Sequence, residues 1–282
     1  VALNFSKYEG LGNDFILVER LPGEDVGPAA ARALCDRHFG IGADGILLTG
    51  LRQGRPFMHV INADGSEPEM CGNGLRCVAL YLVHRGLVKA REFEVDTGAR
   101  PHGVRVALDG EAAAEVTVSM RPASLAAAEV LRDAHGEHVE QPFEIEGERL
   151  HVTAVSMGNP HAVLFDDVAG REPTLGPRLE RDARFLAGAN VGFARMRSQA
   201  EMDLRVWERG CGFTLACGTG ACAAAVAAVE TGRAERAKPV TVHLPGGPLT
   251  IRVGERGERI EMRGPARRVF EGSVAWPLEV PR

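Results

Sequence analysis

The sequence predicts an α+β protein of two pseudo-symmetric domains from an internal duplication, each wrapping β-structure around one central helix. Three observations point there. A Cys-Gly-x-Gly turn occurs twice, as Cys71-Gly72-Asn73-Gly74 and Cys217-Gly218-Thr219-Gly220, 146 residues apart. Each turn is followed by a run that is apolar on nearly every face. Short β-rich runs bounded by Gly, Pro and Asp surround both.

The duplication rests on more than the cysteines. Gly12-Asn13 and Gly158-Asn159, Gly42-Ala43-Asp44 and Gly188-Ala189-Asn190, and Gly86 and Gly232 all stand at the same offset of 146. One Gly-rich match is weak, but several at one ungapped shift define a repeated unit. After Cys71 the residues Leu75 to Val83 are apolar nearly all round, and after Cys217 the run Ala221 to Val229 is dominated by alanine. Alanine is the best helix former, and a helix apolar on most faces is buried. Gly86 and Gly232 suit the ends of these two helices.

Strands are expected at Phe15–Val18, Ile46–Leu48, Phe57–Ile61, Phe93–Val95 and Val104–Val106 in the first half. In the second half they are expected at His151–Val155, Ala162–Phe165, Leu204–Trp207, Val240–Leu244, Leu249–Val253 and Ile260–Met262, with a hairpin turn at Pro245-Gly246-Gly247-Pro248. Pro122 to Glu146 reads as the connection between domains, which divides the chain into residues 1–120 and 121–266. Whether the tail 267–282 packs with the first domain is left open by the sequence.

Composition narrows the function. The chain has 282 residues, 45% hydrophobic and 25% charged, enough for two medium domains with real cores. A net charge of −5 carries no nucleic-acid footprint. No signal-peptide pattern and no apolar run of about 18 residues is present, so a cytosolic protein off the membrane is expected. Six cysteines in such a protein are not a disulfide framework. Cys35, Cys77 and Cys222 read as small buried hydrophobes.

Taken singly, each Cys-Gly-x-Gly turn is a glycine-rich helix start with a buried thiol. As a pair they suggest chemistry. A helix N-terminus offers unpaired N–H groups and partial positive charge, which favour a thiolate and can cradle a carboxylate. Inverting a stereocentre by proton transfer needs a proton removed from one face and another returned on the opposite face. Two cysteines, one thiolate and one thiol, supply both roles and exchange them for the reverse reaction. No cofactor is expected: only Lys7, Lys89 and Lys238 could form a Schiff base, and Gly10 to Phe15 precedes a strand, unlike a dinucleotide fingerprint.

At these residues the sequence resembles diaminopimelate epimerases over essentially the whole chain. The matching segments are Gly10 to Phe15, Asn62 to Glu67, Cys71 to Gly74, Ser156 to His161, Asn190 to Phe193, Glu208 to Gly210 and Ala216 to Ala221. The resemblance implies mostly antiparallel domains and cofactor-free, metal-free interconversion of LL- and meso-diaminopimelate, on the route to lysine and peptidoglycan. It makes Cys71 and Cys217 the acid/base pair. Gly72, Asn73, Gly218 and Thr219 would hold the reacting carboxylate. Asn13, Asn62, Asn159, Asn190, Glu208 and Arg209 would recognise the other charged groups, and His161 and Glu208 would tune the cysteines. A homodimer is implied too, with Phe270 at a tail position resembling the family's interface.

There are departures. Gly45 stands where many relatives carry glutamine, so it is given no side-chain contact. Cys211 stands where relatives often have alanine, and is expected to be a small core residue. One competing reading is a proline or hydroxyproline racemase, which would not need Asn62, Asn159, Asn190 and Arg209 for a distal end. A thiol redox or metal-binding protein is another, although neither Cys71/Cys77 nor Cys217/Cys222 has Cys-x-x-Cys spacing. A third is a catalytically silent two-domain binding protein.

Overall fold

A computed structural model describes residues 2–21, 26–68, 70–98 and 100–276. In chain order its first elements are β1 (Ala2–Gly10), β2 (Asn13–Glu19), α1 (Pro28–Cys35), β3 (Gly45–Arg52), β4 (Arg55–Asn62), α2 (Gly72–His84), β5 (Glu92–Asp96), β6 (Pro101–Asp109) and β7 (Ala113–Ser119). Then come β8 (Gln141–Ile145), β9 (Glu148–Ser156), β10 (Pro160–Leu164), α3 (Glu172–Glu180), β11 (Asn190–Ser198) and β12 (Glu201–Glu208). The last are β13 (Gly212–Phe213), α4 (Gly218–Glu230), β14 (Pro239–Leu244), β15 (Gly247–Arg252) and β16 (Glu261–Ala275). The chain forms two compact units, one ending at Val118 and resuming at Arg263, the other spanning Ser119–Met262.

In the first unit the strands run β1-β2-β3-β4-β5-β6-β7-β16, and β16 also pairs with β1, so the sheet closes on itself. Closure removes the exposed edges that an open sheet must protect. Helix α2 packs against β1, β2, β3, β4 and β6. Its residues from Gly72 to Leu82 are all buried, as an all-round apolar helix requires. Outside the sheet, Ala31 and Leu34 of α1 join Ile46 and Leu48 of β3 in a second apolar cluster.

The second unit repeats the plan. Its strands run β15-β14-β12-β11-β10-β9-β8, and α4 packs against β9, β10, β11, β12, β14 and β15. Leu175 and Leu179 of α3 cover Val191 and Phe193 of β11 from outside. Pairing is mostly antiparallel in both units. The exceptions match: β2–β3 and β4–β5 are parallel in the first, β10–β11 and β12–β14 in the second. The fold is therefore α+β, with one strand-wrapped helix per unit.

Both central helices stop in the same way. Gly86 and Gly232 take left-handed φ values of 67° and 71°. Gly86 N–H bonds to Val83 O at 3.1 Å and Leu87 N–H to Leu82 O at 3.0 Å; Gly232 and Arg233 bond to Val229 O and Ala228 O at 3.1 and 2.8 Å. These paired bonds satisfy the last helical carbonyls. The turn Pro245-Gly246 joins β14 to β15, with Leu244 opposite Gly247.

Three details differ from the sequence reading. Pro122 to Glu146, read as a connection at the start of the second domain, carries β8, which pairs with β9; an edge strand of five residues has too little alternation to stand out. Cys211 is exposed rather than in the core. It sits in the tight turn between β12 and β13, where its N–H bonds to Glu208 O at 3.1 Å. Strands β1, β7, β11 and β13 and helices α1 and α3 were not anticipated. Of the tail, residues to 275 form the end of β16 on β1, and residues 277–282 lie outside the described residues.

Candidate active site

Each cysteine is the N-cap of its helix. Cys71 has φ −131° and ψ 111°, Cys217 φ −118° and ψ 106°, extended values suited to a cap. The sulfur replaces the usual cap oxygen: Gly74 N–H points to Cys71 Sγ and Gly220 N–H to Cys217 Sγ, both at 3.4 Å. Glycine fits closely there: a Cβ on Gly74 would stand 3.1 Å from Leu47 Cδ2, and one on Gly220 would stand 3.0 Å from Val206 Cγ2 and 3.2 Å from Cys217 Sγ. Gly72 and Gly218 open the two helices, where N–H groups lack partners within the helix.

In the first unit Cys71, Asn73 and Asn13 come together. Cys71 Sγ lies 3.9 Å from Asn13 Oδ1, and Asn73 Nδ2 donates to the same oxygen at 3.1 Å. Asn13 Nδ2 donates to Asp44 Oδ2 at 2.7 Å, and Asp44 is ion-paired with Arg37 at 2.8 Å. Asn62 closes β4, where its amide donates to Ser66 Oγ at 2.9 Å. Gly45 pairs with Asn62 across the sheet, where its Cβ would meet Ile61 O at 2.9 Å.

In the second unit the cluster is larger. Asn159 Nδ2 donates to Thr219 Oγ1 at 3.3 Å, Thr219 Oγ1 lies 3.6 Å from Cys217 Sγ, and His161 Nε2 contacts Asn159 Oδ1 at 3.1 Å. His161 is buried, and burial, helped by the Arg209 charge, drives its pKa down to about 3, so it is neutral. Cys217 is 5% exposed. Burial, then the Glu208 carboxylate, pushes its thiol well up, against weaker opposite pulls from Thr219 and the Gly220 N–H. At neutral pH Cys217 is therefore a thiol.

Glu208 ends β12 and Arg209 opens the turn that follows it. Thr214 Oγ1 donates to Glu208 Oε1, and Arg209 Nη1 donates to Ala187 O at 2.8 Å. Asn190 spends its amide on backbone: Nδ2 donates to Pro160 O at 3.0 Å, and Oδ1 accepts Arg209 N–H at 3.1 Å. It places Arg209. Two residues outside the sequence reading belong here. Glu180 clamps the turn, accepting Trp207 Nε1–H at 2.8 Å and Gly210 N–H at 2.9 Å. Arg76, fully buried in α2, donates from Nη2 to Asn73 Oδ1 at 2.9 Å. An arginine inside an apolar helix, three residues after Asn73 and so on the same face, was the available signal. Glu180 left none.

Among the described residues no group of three His, Cys, Asp or Glu side chains is placed to hold a metal ion. None of the described helices is long and apolar enough to cross a membrane.

The fold defines a class that includes epimerases, racemases and isomerases. A hydroxyproline epimerase from Agrobacterium vitis matches with a TM-score of 0.68 at 13% identity, covering 97% of this chain and 92% of its own. A methylitaconate-delta-isomerase matches with a TM-score of 0.67 at 13% identity, covering 100% and 99%. At such identity these likenesses establish the fold alone. Within that class, the chain belongs to the diaminopimelate epimerase family, whose model matches residues 5–126 and 153–269. Diaminopimelate epimerase 1 of Nostoc sp. is 45% identical over 97% of this chain and 100% of its own length. The diaminopimelate epimerase of Moorella thermoacetica is also 45% identical, over 98% and 100%.

Proposed function

We propose that the chain is an isomerase that epimerises LL-2,6-diaminopimelate to the meso form, with Cys71 and Cys217 as its two acid/base groups. The observation that carries the reading is the repeated sulfur cap: each cysteine sits at the positive end of a buried helix with a backbone N–H on its sulfur. One thiolate removes the α-proton while the other thiol returns a proton to the opposite face. Positioned proton transfer of this kind contributes roughly 10²–10⁴-fold. The open N–H groups at Gly72, Asn73, Gly218 and Thr219 would hold the reacting carboxylate and offset charge as the proton leaves.

The other charged groups of the substrate have matching candidates. Arg209 offers a forked donor for a carboxylate, Glu208 an acceptor for an ammonium, and Asn13, Asn62 and Asn159 amides that serve both. Asn190 contributes through Arg209, whose backbone it holds. Glu208 lies beside Cys217 and His161 beside Asn159, positions from which they tune that turn.

Cofactor-free turnover, a homodimer and a cytoplasmic location complete the proposal. It extends to residues 1–120 and 121–266 as duplicated domains. Incubation with LL-diaminopimelate in heavy water tests the reaction: with chelator-treated protein and no pyridoxal phosphate, deuterium should enter the α-carbon of diaminopimelate. Absence of exchange would refute it. Sedimentation would report the dimer.

A further inference from the structure

The Glu208 carboxylate acts on the buried Cys217 thiol through its charge and as a hydrogen-bond acceptor. It can do so only while it stays beside the sulfur. Yet Glu208 is half-buried at the end of β12, on a long flexible side chain. A carboxylate so placed can swing out to water, where its charge is better solvated.

Among the described residues, the bond that restrains it comes from Thr214, whose Oγ1 donates to Glu208 Oε1. A carboxylate only accepts, so the hydroxyl must be the donor. Thr214 is itself well held. Its β-branched side chain is stiff at χ1. The next carbonyl, Leu215 O, accepts Gly246 N–H from the β14–β15 turn at 2.8 Å. Three residues after Thr214, Cys217 caps α4 with its sulfur 3.4 Å from Gly220 N. One short segment therefore carries both the cysteine and the donor that anchors the acid acting on it.

We propose that Thr214 is a positioning residue for Cys217: its hydroxyl holds the Glu208 carboxylate turned toward the sulfur rather than out to water. The inference rests on Glu208 and Cys217 belonging to the epimerase site. Among the groups acting most strongly on the sulfur, Glu208 of β12 carries the charge, while Thr219 and the Gly220 N–H of α4 are neutral. His161 of β10, also neutral, connects through Asn159 and Thr219. The first turn has no counterpart. The positions 146 residues before Glu208 and Thr214 are Asn62 and Pro68, a neutral amide and a residue without a hydroxyl. At these two positions the anchored acid is a feature of the second turn.

Alkylation by iodoacetamide at one fixed neutral pH, read at Cys217 by tandem mass spectrometry, tests this, because the thiolate is the form that reacts and Glu208 disfavours it. In Thr214→Val the carboxylate is released, and the Cys217 rate should rise about tenfold or more as a neighbouring like charge leaves. Thr214→Ser, which restores the hydroxyl, should react at the wild-type rate. Glu208→Gln should raise the rate as well, and adding Thr214→Val to it should change nothing further, since Thr214 acts through the carboxylate. A Thr214→Val rate no higher than wild type overturns the proposal, as does a Thr214→Ser rate as high as that of Thr214→Val. An equal further rise in the Glu208→Gln background also overturns it, because a merely loosened segment would expose the sulfur whichever side chain stands at 208. If Thr214→Val does not fold, Thr214→Ala removes the same hydroxyl and is judged by the same outcomes. No substrate is used, so failed deuterium exchange would refute the epimerase reading without touching this result.

Discussion

The turn at Cys71 and the turn at Cys217 share a backbone and differ around the sulfur. Both cysteines are extended caps with a glycine N–H 3.4 Å away, and both helices run 13 residues to a left-handed glycine. Yet Cys71 is partly exposed beside an amide chain pinned between Arg76 and Asp44, whereas Cys217 is 5% exposed beside Glu208 and Thr219. The backbone of a duplicated unit keeps its function through sequence drift, because every residue except proline supplies the same N–H. Side-chain networks have no such protection, so the two halves reached different local electrostatics around one shared geometry.

The strongest challenge to the comparison is removal of either sulfur. Cys71→Ala and Cys217→Ala should each cut epimerisation by about 10²–10⁴-fold, read as the rate of LL-to-meso conversion. A variant keeping more than a tenth of wild-type turnover would remove its cysteine from the pair. Next, Arg209→Ala should raise KM for diaminopimelate by roughly 10–100-fold, the loss of a charge-assisted bond of about 1.5–3 kcal/mol. Unchanged KM would strip Arg209 of its carboxylate.

Gly220→Ala and Gly74→Ala sharpen the contrast at the caps. Both should destabilise by about 1–3 kcal/mol in denaturant unfolding, since each Cβ presses on a packed strand. Only Gly220→Ala puts its Cβ 3.2 Å from a sulfur, so its activity should fall further than its stability alone explains. Equal activity losses would argue against a special Cys217 environment.

His161 offers a pH test with no counterpart in the first half, where the matching position is Phe15. Its folded pKa of about 3 lies below the ordinary 6.5, so the unfolded chain binds the extra proton between those values. Stability from this group is full above pH 6.5 and declines as pH falls towards 3. His161→Gln should flatten that part of the stability–pH curve, and an unchanged slope would contradict a buried neutral imidazole. The smallest effects belong to the shared helix stops. Gly86→Ala and Gly232→Ala meet no neighbour within 4 Å, so each should cost only the left-handed strain of about 1–2 kcal/mol, equally in both halves. Unequal losses in thermal unfolding would show that the two stops are not equivalent.

Much of the local architecture was legible from residues close together in the chain. The offset of 146 exposed the repeat, the apolar runs marked α2 and α4, and Gly86 and Gly232 marked their ends. A cap, a helix face and a helix stop depend on side chains within four or five positions, so a linear reading reaches them. The same proximity in sequence joins Cys71 to Asn73 and Cys217 to Thr219.

The tertiary structure decided what depends on distant partners. Nothing near Gly264 in the chain says that β16 returns to pair with β1, placing Pro265 O on the Arg76 guanidinium 189 positions earlier. Nothing beside Glu180 says that its carboxylate will hold the Trp207 ring and the Gly210 N–H. Cys211 reads as a core residue by type and is exposed because a tight turn put it there. Each outcome comes from a pairing whose energy is realised only when remote segments meet, and residue type alone does not encode which acceptor a buried donor will find.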